Sequence, residues 1–180
     1  VMAAPARTQA KLDAAEALLA ARGPLPGGAW ASEVHAAAEA RLRAMGAPAK
    51  RDEYWKYTDP SAFTAPLPRE TRVPPHSPVF RDVDALTIAF VDGVLHAEES
   101  DELALEHVEI QPLAEVAATD IHWARDLFGR LEAEAQTRVP RPLAALNTAR
   151  AADGLAIRVT GQAPKPIRIA LAQTRPDGDA

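Results

Sequence analysis

Apolar positions recur at helical spacing over two N-terminal stretches. Leu12, Ala15, Leu18, Leu19 and Arg22 share one face, which predicts a helix over 8–22 ended by Gly23-Pro24. Residues 24–28 (Pro-Leu-Pro-Gly-Gly) read as a turn. Trp30, Val34, Ala38, Leu42 and Met45 form a second stripe and predict a helix over 29–45. Gly46 suits its C-cap, Pro48 forbids continuation, and Ser32 and Glu33 suit its first turn.

The pattern then changes. Six prolines fall between Pro60 and Pro78, which predicts an extended connector without helix or central strand. Residues 85–98 alternate about Asp92-Gly93 and predict a hairpin. Leu105–Ile110 reads as a further strand whose apolar face is Val108 and Ile110. Asp120 is placed to cap a helix over 121–136, with Ile121, Ala124, Leu127, Phe128, Leu131 and Ala135 as its apolar face. Pro140 and Pro142 break it, and Leu143–Arg150 predicts a short helix. After Asp153-Gly154, Leu155, Ile157 and Val159 alternate with polar or small residues, and Ile167, Ile169 and Leu171 repeat the pattern. Two strands of one pattern point to a repeating β architecture, below the three or so repeats that make a solenoid stable alone. Residues 174–179 read as a polar turn.

Composition narrows the function classes. The 180 residues fit one domain or one domain plus part of another. A net charge of −5 lacks the basic footprint of a general nucleic-acid binder and opposes docking on anionic lipid. The 40 alanines raise the helical expectation and blur periodicity, and the usage reads as genome composition rather than mechanism. There is no cysteine, so the chain offers no thiolate to zinc or an iron–sulfur cluster. Arg7, Lys11, Asp13 and Glu16 interrupt the first 22 residues, so no secretory apolar core is present there. No run approaches the roughly 18 apolar residues of a membrane span. The expected compartment is the cytoplasm.

Candidate chemistry is sparse. His35, His76, His96, His107 and His122 show no metal-ligand spacing, and no catalytic serine context or phosphate-binding glycine loop occurs. The expectation is therefore no catalytic, cofactor-binding or metal-binding residue. Asp52 and Glu53 are adjacent carboxylates, whose side chains diverge, and local pairing with Arg51 and Lys56 is the expected use. Tyr54, Trp55 and Tyr57 place three of the nine aromatic residues within four positions. Such a cluster can grip a ligand. It can also anchor packing, with Trp55 and one tyrosine buried against the preceding helix.

The wording around this cluster carries a resemblance. Arg51-Asp52-Glu53-Tyr54-Trp55-Lys56-Tyr57-Thr58-Asp59 resembles the R-x-E-x-W-K-Y-T-x segment of SufD-type iron–sulfur cluster assembly proteins. Phe90-Val91-Asp92-Gly93-Val94 is similar to the family's F-V-N/D-G hairpin. Ala144-Ala145-Leu146-Asn147-Thr148-Ala149, followed by Asp153-Gly154, is similar to its A-L-N-T-A … D-G segment. Pro164-Lys165-Pro166-Ile167 is similar to its x-x-P-I rung, so four short motifs stand in family order.

The resemblance implies an α+β fold: an N-terminal helical region with a small β-hairpin, leading into the first rungs of a right-handed parallel β-helix. It places a helical and hairpin region at 1–142, containing the Pro-rich connector 60–78, and the start of the β-helix at 143–180. It implies a non-catalytic subunit of the SUF scaffold that partners SufB and the ATPase SufC. The complex assembles the iron–sulfur cluster; the resemblance puts no cofactor on these residues and leaves flavin open. Family members are more than twice this length, so the chain reads as the N-terminal part. Its uncovered β-helix end is then expected to self-associate. The alternatives are a small ligand-binding module using Tyr54, Trp55 and Tyr57, or a small hydrolase or transferase using Asp52, Glu53 and a distant histidine.

Overall fold

The computed structural model describes residues 6–23, 25, 28–64 and 82–172. The chain is mixed α and β, and divides into two compact units: Val1–Arg69 with Ala117–Ala151, and Glu70–Val116 with Ala152–Ala180. The hairpin expected beside the helices shares its unit with the strands after residue 152.

The first unit is helical. Helix α1 spans Ala6–Arg22 and α2 spans Ala29–Met45, as the two apolar stripes predict. Gly46 takes φ 72°, and its N–H donates to the Leu42 carbonyl, which closes α2. A Cβ on Gly46 would lie 2.9 Å from Lys11 Cβ and 3.0 Å from the Lys11 backbone carbon. Glycine is therefore required twice over, for its backbone conformation and for the approach to α1. The core joins Ala15, Leu18 and Leu19 of α1, Ala38 and Leu42 of α2, Ala47, and Ala145, Leu146 and Ala149. The last three lie on α6, Pro142–Ala149, which starts with proline in its first turn. Five of these nine core residues are alanine. Small side chains let the helices approach closely, so the alanine content has a structural use here that composition alone hides.

Charged side chains tie the helices at their rims. Arg43 bonds Glu16 at 2.8 Å and Glu39 at 2.9 Å, and Arg150 bonds Glu39 from the end of α6. The Arg150 hydrogen bond, reinforced by the charges of Arg150 and Arg43, holds the Glu39 carboxyl below the usual glutamate range, against the opposing effect of burial. Arg41 pairs with Glu132. The Trp30 indole donates to the Thr119 carbonyl at 2.7 Å.

Two expectations change in this unit. Residues 121–136 do not form one helix. A 3₁₀ turn runs Trp123–Asp126, Gly129 takes φ 73°, and helix α5 spans only Arg130–Ala135. A Cβ on Gly129 would meet Val34 Cγ1 at 2.8 Å and Thr148 Cγ2 at 3.1 Å, so tertiary crowding puts glycine and a break there. The cap is His122, whose Nδ1 accepts from the Ala124 N–H at 3.1 Å, not Asp120. Ala124 is buried, whereas Ile121, Leu127 and Leu131 of the expected inner face are exposed. The Pro-rich stretch also differs where it is described. Ser61–Thr64 form one helical turn, α3, capped by the Pro60 carbonyl. No proline separates Pro60 from Pro66, so nothing forbids that turn. Residues 65–81, which hold the rest of the connector and His76, lie outside the described residues, as do Pro24, Pro26, Gly27 and the polar turn 174–179.

The second unit is built from strands. β1 spans Leu86–Val91 and β2 spans Val94–Leu95, antiparallel, with Phe90 opposite Leu95. Asp92 and Gly93 both take positive φ, as a two-residue hairpin turn of this twist requires. Beyond β2, Ser100 Oγ accepts from the Ala89 N–H and Asp101 Oδ2 from the Thr87 N–H, so side chains continue the ladder. β3 spans Val108–Pro112 and runs into helix α4, Leu113–Ala118. The strand expected from Leu105 starts three residues later. His107 takes φ 63° and the Val108 N–H turns back to the Leu105 carbonyl, which breaks the extended run.

β4 spans Leu155–Val159 and β5 spans Ile167–Ala172. The two strands of like pattern enter different sheets. β4 pairs antiparallel with β3, and β5 pairs parallel with β1 from Leu86–Ile167 to Val91–Ala172. Leu86, Ile88, Phe90, Val108 and Ile110 form the buried core of this unit, flanked by Leu95, Leu155, Ile157 and Ile167. Among the described residues these strands make two small sheets and no completed β-helix coil.

Candidate functional site

The aromatic segment is positioned by α1. The Lys11 carbonyl accepts from the Ala47 N–H at 2.8 Å, and the Lys11 ammonium bonds both oxygens of Asp52 at 3.0 and 2.8 Å. Asp52 Oδ2 also accepts from the Ala49 N–H at 3.0 Å. Its carbonyl accepts from the Trp55 N–H, which starts the 3₁₀ turn Glu53–Trp55. Asp52 is therefore a structural hinge between α1 and the aromatic turn. Its partner is Lys11, not the neighbouring Arg51, while Glu53 meets Lys56 at 4.0 Å as expected.

The rings themselves lie at the surface. Tyr54 is 58% exposed and Tyr57 91%, and Trp55 is half-buried. The expected burial of Trp55 with one tyrosine against the helix is not found. The short 3₁₀ turn points the rings along the surface, where Trp55 packs edge-on to Tyr54 at 6.0 Å and tilted to Phe63 at 6.1 Å. The guanidinium of Arg141 sits 5.7 Å from the Tyr54 ring centre, and Lys56 Nζ 5.4 Å from the Tyr57 ring centre.

Tyr54 also walls a cavity of about 440 Å³. Lys11, Ala44, Met45, Asp52, Glu53, Val139, Pro140 and Pro142 complete its lining. Its volume lies within the roughly 300–1,000 Å³ typical of ligand pockets. Sequence reading singled out Asp52, Glu53 and Tyr54. It missed Lys11 and the 139–142 wall, since nothing local to either stretch announces the other.

The described histidines do not converge on this cavity. His35 is buried, and its Nδ1 donates to the Thr148 carbonyl at 2.8 Å, because a carbonyl can only accept. His107 faces Glu106 at 3.3 Å, and His122 caps the Trp123 turn. His96 Nδ1 is buried without a hydrogen-bond partner among the described residues. No group of three or more histidine, aspartate or glutamate side chains could hold a metal ion among the described residues. Among the described residues no helix is long and apolar enough to cross a membrane.

Compared with known proteins, the chain matches no family model. It also matches no curated protein.

Proposed function

We propose that this chain is a non-catalytic interaction subunit of the SUF-type iron–sulfur cluster assembly scaffold, contributing its N-terminal part and partnering SufB and the ATPase SufC. The observation that carries the proposal is the exposure of the family-like segment: the side chains of Tyr54 and Tyr57 face solvent. Aromatic residues that are costly to expose and that do little for the core fit a surface kept for a partner. In this reading the cluster is the cargo of the whole complex, and the protein works in the cytoplasm.

The finer fold belongs to the same proposal. The start of a right-handed parallel β-helix rests on the family resemblance of residues 144–167, not on the two small sheets. The outer edge of β5 has no strand partner among the described residues, and its Ile169 and Leu171 are exposed. This edge supports self-association of the chain. Light scattering at rising concentration tests that point: a mass fixed at the monomer overturns it.

Co-expression with SufB and SufC subunits tests the function. The three chains are expected to co-elute on size exclusion. Separate elution of this chain at micromolar concentrations overturns the proposal. A second reading, a ligand-binding module centred on Tyr54 and Trp55, is favoured by the cavity that Tyr54 walls.

A further inference from the structure

We infer that β5 pairs with the β5 of a second copy, antiparallel and centred on Ile169, to form one continuous sheet across a two-fold axis. The inference rests on reading this edge as the place where the chain self-associates.

The two edges of the sheet differ. On the far side of β1, the Thr87 N–H donates to Asp101 Oδ2 and the Ala89 N–H to Ser100 Oγ. The Thr87 and Ala89 carbonyls accept from the Asp101 and His96 N–H groups. Those bonds close that side to a further strand. On the other side, the Pro166 carbonyl accepts from the Leu86 N–H and the Ala172 carbonyl from the Asp92 N–H, with the parallel register running between them. Pro166, Arg168, Ala170 and Ala172 thus turn their backbone groups toward β1. Ile167, Ile169 and Leu171 turn theirs outward, where no strand pairs with them among the described residues.

The side chains leave this edge unguarded. Ile167, Ile169 and Leu171 stand beside Leu86, Ile88 and Phe90, on the same face. Ile88 is 0% exposed, yet its neighbour Ile169 is 51% exposed and Leu171 80%. A charged side chain commonly shields an edge strand. Arg168, the charged residue of β5, instead bonds Thr87 Oγ1 at 3.4 Å and the Val83 carbonyl at 2.8 Å, so it reaches back toward β1.

The pattern is complementary to itself. Centred on Ile169, antiparallel pairing sets Ile169 opposite its own copy and Ile167 opposite Leu171. Each outward N–H then meets an outward carbonyl. The apolar faces of both copies lie on one side of the joined sheet. Arg168 falls opposite Ala170 on the other side, so no like charges meet across the axis. Such a two-fold contact uses the open edge of both copies and ends at a dimer. A contact this short falls below roughly 1,200 Å², which makes the dimer weak and reversible.

The test is sedimentation equilibrium of the full chain from micromolar to millimolar concentration. A monomer–dimer equilibrium is expected. Ile169→Lys and Ile169→Glu are each expected to keep the circular dichroism spectrum and to weaken dimerisation at least tenfold. Mixing the two variants restores it, because Lys then faces Glu across the axis. Disulfide trapping reads the register, since the chain has no cysteine of its own. Facing Cα atoms of a hydrogen-bonded pair are about 5.5 Å apart, within disulfide reach. Ile169→Cys is therefore expected to give a covalent dimer on mild oxidation, and Leu171→Cys none. Dimers that persist in both charged variants, equal trapping through Leu171→Cys, or assembly beyond the dimer overturns this inference alone. A monomer at every concentration overturns the self-association reading with it. Neither result bears on co-elution with SufB and SufC, which tests the assembly proposal separately.

Discussion

Lys11 and Asp52 lie 41 residues apart and meet in a two-point hydrogen-bonded ion pair. The pair, with the backbone bond from Ala47 to Lys11, fixes the aromatic turn to α1. Both side chains are about one-third exposed or less, so solvent screens the attraction. Lys11→Met is expected to lower stability by about 1 kcal/mol. It is also expected to increase quenching of Trp55 fluorescence by acrylamide. An unchanged urea midpoint together with unchanged quenching would show that the pair fixes nothing.

Two glycines of positive φ but unlike surroundings give a paired test. Gly23 has φ 63° with nothing within 4 Å of a new Cβ, whereas a Cβ on Gly46, at φ 72°, would overlap Lys11. Gly23→Ala is expected to cost about 1 kcal/mol from left-handed strain alone. Gly46→Ala adds the clash and is expected to cost about 3 kcal/mol. Thermal melts of the two variants compare them directly, and equal shifts would deny the close approach of Gly46 to α1.

Acid should weaken the helical unit through Glu39. Its carboxyl titrates below the usual range because Arg150 and Arg43 stabilise the charged form. A depressed carboxyl contributes stability that is fully present above the unfolded value of about 4.3 and is lost as pH falls through the folded value. Removing the carboxylate also leaves Arg150, whose side chain is 7% exposed, without its anion. Glu39→Gln is expected to cost about 2 kcal/mol at neutral pH. It should also flatten the decline in melting temperature below pH 4.5. A variant that keeps the wild-type acid slope would assign that slope to other groups.

Trp55 has a smaller structural role than a core ring. Being half-buried between Tyr54 and Phe63, it is expected to cost about 1–2 kcal/mol on Trp55→Ala. A fully buried ring costs roughly 3–5 kcal/mol. Chemical denaturation measures the difference, and a loss in the larger range would place the ring in the core.

Local grammar was legible and long-range partnership was not. Gly23-Pro24 and Gly46 marked the ends of α1 and α2, and Asp92-Gly93 marked the hairpin, because each acts on its own backbone. The break at Gly129 escaped notice because Val34, 95 positions earlier (129 minus 34), fills the space a Cβ there would need. Strands 155–159 and 167–172 were legible as strands, but alternation names no partner, so their separation into two sheets was not. The site shows the same division. The cluster at Tyr54–Tyr57 stood out, whereas the choice between core and surface depended on a three-residue turn that points the rings outward. The two stripes named Ala15, Leu18, Leu19, Ala38 and Leu42 of the helical core, but alanine, neutral on either face, did not show that Ala145 and Ala149 pack against them.

The parallel ladder between β1 and β5 has a consequence for synthesis. Leu86 waits for Ile167, 81 residues later, before its outer edge is paired (167 minus 86). Closing so long a loop costs entropy before any pairing is gained, which slows folding in the way high contact order does. A nascent chain emerging N-terminus first presents Ile88 and Phe90 long before their parallel neighbour leaves the ribosome. During that interval the unpaired apolar strand is open to association with other chains, so the folded yield is expected to fall as translation downstream of residue 91 slows.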